Sequence, residues 1–115
     1  MSDELKNLDD WTQRAHQAQA AAAQAYGRLL NLAETRDSGQ IRRVAQFIAS
    51  TYDGATFPFD LFELRTVNVA ISDDMLVCLD ALRWGKADLF KLVPDGERRV
   101  RAICAAWGIT WPEGN

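Results

Sequence analysis

The stretch from Asp37 to Asp60 restricts the fold more than any other, because it holds an amphipathic helix with a start signal, a stop signal and an aromatic turn behind it. Ile41, Val44, Ala45, Ile48 and Tyr52 recur at helical spacing, while Arg43, Gln46 and Ser50 fall on the opposite side. One face is made for a core and the other for water. Asp37 or Ser38 ahead of Gln40 can cap the first turn, and Gly54 offers the left-handed position that closes many helices. These signals predict a helix from Gly39 to Asp53. Phe57-Pro58-Phe59 cannot extend it, since Pro58 fixes its own φ and pushes Phe57 out of the helical region. Phe47 lies off the stripe, which places neighbours on two sides of this helix and makes it the expected central element.

Upstream, residues 1–37 read as one long helix. Between Gln13 and Glu34 there is neither proline nor a β-branched residue, and Gly27 is the one weak point. Leu8, Ala15, Ala22 and Leu29 repeat every seven residues, as do Trp11, Ala18, Ala25 and Leu32, giving an a/d seam whose alanines allow close approach. A rod of about 48 Å at about 1.5 Å per residue exceeds the width of a compact domain of this length, so part of it should overhang. Three readings stay open: an arm for self-association or partner docking, first turns that fray, or a helix folded back at Gly27. The chain lacking Met1 to Gln19 is expected to stay folded.

Downstream, Asp60 caps a short helix over the core that carries Leu61, Phe62, Leu64 and Val67. Ser72 reads as the next cap, with Ile71 and Leu76 as a hydrophobic staple and Asp73 and Asp74 in a first turn that favours carboxylates. Met75, Cys78, Leu79 and Leu82 form the stripe of that helix, widened by Leu76 and Val77, and Gly85 stops it. Residues 86–93 fit either an extended segment or one helical turn. Pro94-Asp95-Gly96 is a turn with Asp95 capping the last helix, whose stripe is Val100, Ile103, Cys104 and Trp107 and whose stop is Gly108. The whole is an all-α, single-domain bundle of about five helices: an N-terminal arm over 1–25, a core over 26–111 and a tail over 112–115.

A resemblance rests on some of these residues. Asp37 to Ala45, Phe59-Asp60-Leu61, Leu64, Val67, Ala70 to Met75 and Ala106-Trp107 resemble a family of small bacterial proteins of unknown function over about residues 26–108. Its members are typically encoded on integrative conjugative elements, plasmids and genomic islands of proteobacteria such as pseudomonads. The resemblance implies a setting, a mobile genetic element, and hands no catalytic or binding role to any residue; Met1 to Gln24 lie outside it.

Chemistry is sparse. A chain of 115 residues, 48% hydrophobic and 25% charged, is ordinary globular material with no expected signal peptide or membrane span, hence an expected cytoplasmic protein. Cys78 and Cys104 sit in apolar stripes as reduced thiols, and His16, the only histidine, has no cysteine or serine partner nearby. Without a phosphate loop or a cysteine-histidine ligand spacing, neither an enzyme nor a metal or other cofactor is expected. Residues 83–101 carry six basic and three acidic groups, against a net charge of −3 for the whole chain. Arg98 points away from the core stripe while Arg99 and Arg101 splay to opposite flanks, and the connection from Gly54 to Phe59 is too long for a helix-turn-helix.

The sequence therefore points to a protein-protein interaction protein that binds or inhibits a host protein, such as a defence component, or serves as an accessory in transfer or maintenance. Its expected interface is Leu8, Trp11, Ala15, Ala18 and Ala22, which would also pair two copies, together with Trp111 in the tail. Trp111 can fold back onto the core or stand out as an anchor, and partial exposure with a part in binding is the expectation. The alternative is a nucleic-acid-associated regulator using Arg83, Lys86, Arg98, Arg99 and Arg101.

Overall fold

The computed structural model describes the backbone of residues 2–112 and the side chains of residues 10–112. Four α-helices carry the fold: α1 (Ser2–Thr35), α2 (Gly39–Tyr52), α3 (Val69–Leu82) and α4 (Gly96–Ala106). Two 3₁₀ turns, Leu61–Arg65 and Leu89–Leu92, fill the connections, and no strand occurs among the described residues. The all-α expectation holds, with four helices and two turns standing where about five helices were expected.

Side-chain pairs fix the topology. Tyr26 on α1 meets Thr51 on α2 through a 2.9 Å hydroxyl hydrogen bond, so these two helices form an antiparallel hairpin closed at residues 36–38. Arg28 makes a bidentate pair with Asp74, and Arg14 stacks on Trp84, which runs α3 antiparallel along the same α1. Tyr52 donates to Glu97 while Arg42 covers Trp107, setting α4 antiparallel to α2. The Trp107 indole N–H then donates to the Ala33 carbonyl at 3.0 Å, and Arg99 grips Glu34, so the end of α4 closes on the end of α1. That indole satisfies one of the carbonyls left without a partner at a helix C-terminus.

The central element is α1, a correction to the expectation for α2. It packs on all three other helices and on the second 3₁₀ turn, whereas α2 reaches α1, α4 and that turn. Length explains the difference, since 34 unbroken residues span about 51 Å and α2, α3, the second 3₁₀ turn and α4 all fold back on the same rod. Gly27 does not end it. The molecule is 53 Å in its longest dimension and 26 Å in its shortest, so the rod overhangs a core narrower than itself.

Within the core, Ile41, Val44, Ala45 and Ile48 of the α2 stripe are buried while Tyr52 at its end is half-buried, and Phe47 is buried as well, edge-on to Phe59 at 5.4 Å. Ala18, Ala22, Ala25 and Leu29 are packed into the core cluster with Tyr26, Met75 and Cys78, and Ala15 is buried too. The core therefore reaches back past residue 26, to Ala15. Alanine on this face lets α3 settle against the rod with little side chain between them.

Several local signals act differently from their sequence reading. Ser38, not Asp37, caps α2, and Gly54 stays out of the left-handed region; the helix ends at Asp53, whose Oδ1 accepts from the Thr56 amide. α3 begins three residues before Ser72: Asn68 caps it by accepting from the Ala70 amide, and the Ser72 hydroxyl turns back to the Val69 carbonyl. Asp73 and Asp74 thus lie beyond the first turn, and Asp74 answers a tertiary partner, Arg28, instead of the helix dipole. Ala81 takes the buried place expected for Leu82. Asp95 does not cap α4 with its side chain, because it sits at φ +57°, where the carboxylate cannot reach the first-turn amides, and pairs with Arg98 instead. Gly85 and Gly108 do take positive φ and end α3 and α4. The stretch 86–93 resolves as the second 3₁₀ turn, with Leu89 buried.

Candidate functional site

The largest departure from the expected burial is on the outer side of the first 3₁₀ turn and α3. Asp60 caps the turn by accepting from the Phe62 amide, and Glu63 pairs with Arg43 of α2. Asn68, at the head of α3, donates its backbone N–H to the Gln40 side chain. The connection is thus pinned to α2 by its polar groups, which leaves Leu61 and Phe62 facing water, each 67% exposed. Both were expected over the core. Val69 is 72% exposed and Leu76 53%, and a spacing of seven residues stacks them on one ridge of α3. Asp73 lies between them on the same ridge, with no ion pair among the described residues, and Asp80 follows one turn past Leu76, paired with Arg83. An apolar ridge interrupted by carboxylates therefore runs down α3 beside an exposed phenylalanine that Arg65 covers on one side.

The expected N-terminal interface divides. Ala15, Ala18 and Ala22 are buried inside the chain's own fold, along the flank where α1 runs beside α3, and so are closed to a partner. Trp11 is 63% exposed beyond them. The Leu8 side chain lies outside the described residues. His16 is exposed on the same helix.

The basic region is largely neutralised by its neighbours. Arg83 pairs with Asp80 and stacks on Trp84, Arg98 pairs with Asp95, Arg99 makes a bidentate pair with Glu34 at 2.6 and 2.8 Å, and Arg101 lies 3.7 Å from Glu97. Of the five, Lys86 alone has no carboxylate partner among the described residues. Arg99 is turned to the end of α1 and Arg101 to the rings of Tyr52 and Trp111, so these two serve different neighbours.

Trp111 folds back and is half-buried. Its indole N–H donates to Asp53 at 2.9 Å, and its ring packs edge-on against Phe57 at 4.8 Å and Tyr52 at 6.0 Å. The hydrogen bond from Trp111, with two more from Thr56, holds the Asp53 carboxyl below its ordinary range. This aromatic corner, joined by Phe90 against Tyr52 at 5.1 Å, was not legible from periodicity, since its members come from the end of α2, a loop, a 3₁₀ turn and the tail.

Nucleophiles are shielded. Burial pushes the Cys78 thiol up to about 12, helped by the charge of Asp74, and raises Cys104 as well. Neither cysteine is in a disulfide. No group of three or more histidine, cysteine or acidic side chains that could hold a metal ion occurs among the described residues, and no helix there is long and apolar enough to cross a membrane.

Fold and surface together define a small all-α protein with a long scaffold helix and an apolar, carboxylate-studded ridge on its outside. Residues 23–108 match a family of unknown function (DUF7673), and the chain belongs to that family. No curated protein and no solved structure matches it.

Proposed function

We propose that this chain is a protein-docking protein whose contact surface is the outer side of the first 3₁₀ turn and α3. One observation carries the reading: Phe62, Val69 and Leu76 keep most of their surface in water, although the sequence has the means to bury large apolar groups elsewhere. Single apolar residues at a surface need no function, but several on adjoining elements form the kind of patch that marks an interaction site. The turn and α3 are in contact, and each leaves large apolar side chains exposed, Leu61 and Phe62 on the turn and Val69 and Leu76 on α3. Asp73 on that ridge favours a partner with a basic group among apolar ones.

The resemblance to proteins of mobile genetic elements supplies a setting in which such a partner is a host protein bound or inhibited by the element, or a component of transfer or maintenance. The test is affinity capture from the native host with the unaltered chain and with Phe62→Asp and Val69→Asp. Retention of a defined protein by the unaltered chain and its loss from both variants, at unchanged melting temperature, is the expected result. Equal retention by all three would remove the face from consideration.

A further inference from the structure

Outside that ridge, the corner formed by Tyr52, Phe90 and Trp111 borders an open surface groove of about 560 Å³, lined also by Asp53, Asp88 and Arg101. Its rings are set edge to face: Tyr52 and Trp111 are inclined at 84° and Tyr52 and Phe90 at 64°. Ring faces arranged in this way attract a cation through their quadrupoles. The chain supplies one itself, since the Arg101 guanidinium carbon lies 5.4 Å from the Tyr52 ring centre and 5.6 Å from that of Trp111. Arg101 is nevertheless loosely held, 60% exposed and 3.7 Å from its nearest carboxylate oxygen, on Glu97.

Charge points the same way. Asp53 accepts from the Trp111 indole and the Thr56 amide but forms no ion pair among the described residues, which leaves a carboxylate without a counter-ion beside the aromatic rings of the groove. Asp88, which lines the same groove, has only Lys91 at 3.8 Å, with both groups exposed. A flat cation that stacks on rings and forks onto carboxylates fits this groove better than a compact ammonium, because guanidinium does both at once.

We propose that this corner is a binding site for an arginine side chain of a partner protein, whose guanidinium takes the place of Arg101 on Tyr52 and Trp111 and pairs with Asp53 and Asp88. Arg101 is then an internal competitor for the same two rings. The inference deepens the docking reading by naming a chemical group on the partner, and rests on it only for the claim that the group belongs to another chain.

A small probe tests the site apart from the ridge. Nα-acetyl-arginine methylamide is titrated into the isotope-labelled full chain while the Trp111 indole N–H resonance, assigned with Trp111→Phe, is followed by NMR. A saturable shift in the millimolar range is expected, with none from the neutral citrulline analogue. Arg101→Ala should tighten binding by about threefold, the scale of one exposed cation-ring contact, and Asp88→Asn, which leaves the Trp111 hydrogen bond intact, should weaken it. Absence of a saturable shift in both the unaltered chain and Arg101→Ala, or an equal response to citrulline, would overturn the site. Tighter binding of the trimethyl-lysine analogue would overturn its assignment to guanidinium. Loss of host-protein capture on Phe62→Asp has no bearing on these shifts, so the two proposals fail separately.

Discussion

A methyl group on Gly96 would stand 1.8 Å from the Phe90 carbonyl oxygen and 2.7 Å from its carbonyl carbon, so α4 can start against the second 3₁₀ turn only with glycine there. Backbone atoms cannot swing aside as a side chain does. Gly96→Ala is expected to cost roughly 3 kcal/mol, the upper part of the range for overpacking a core, and urea denaturation measures it. Cys78 and Cys104 give a second prediction at this scale. As buried thiols they should react with a thiol reagent at neutral pH only as fast as the fold opens, and at once in denaturant. The raised Cys78 thiol also sets a direction with pH. Unfolding frees the thiol to ionise near its ordinary 9.0, while the folded chain holds it neutral to about 12, so its contribution is whole below 9.0 and is lost as pH climbs through that window. Tyr26, raised by burial in the same core, adds to the loss from 10.0 upward. Melting temperatures recorded from neutral to alkaline pH should therefore fall from about pH 9 onward.

At the scale of elements, α1 decides the most, and it also separates what was legible from what was not. Its extent was plain in a run without proline or β-branched residues, and α2 and α4 were plain in their stripes. The heptad of alanines was legible as a seam, but not the identity of its partner: spacing shows that two backbones approach closely and is silent on whether the second is another chain or α3. Asn68 and Ser72 show a second limit. Both are good caps, and only tertiary bonds, from Asn68 to Gln40 and from Asp74 to Arg28, favour the earlier start. Removing Met1 to Gln19 strips Ala15 and Ala18 from the core and Arg14 from Trp84. Two buried methyl groups at about 0.8 kcal/mol each predict a loss of about 1–2 kcal/mol with unfolding still cooperative, which thermal melting of the truncated chain checks. For the same reason Ala18→Glu should lower the melting temperature of the monomer, whatever its effect on association, because it drives a carboxylate into a packed face.

Across the whole molecule, the surface divides by what each part satisfies for itself. Most arginines of the 83–101 region answer carboxylates of the same chain, and Trp111 answers Asp53, whereas Val69 and Leu76 keep most of their surface in water and Phe62 has only the Arg65 guanidinium over one face. That asymmetry was hidden in the sequence because α3 is apolar nearly all round, a pattern that reads as a helix buried on most sides. Only the packing of α1 along one flank shows which apolar residues are left over. The direct measurement is capture of a host protein by the unaltered chain, set against capture by a Phe62→Asp, Val69→Asp double variant of equal melting temperature. One defined protein should be retained by the first and absent from the second; retention by both, or by neither, would rule out this face as the docking surface.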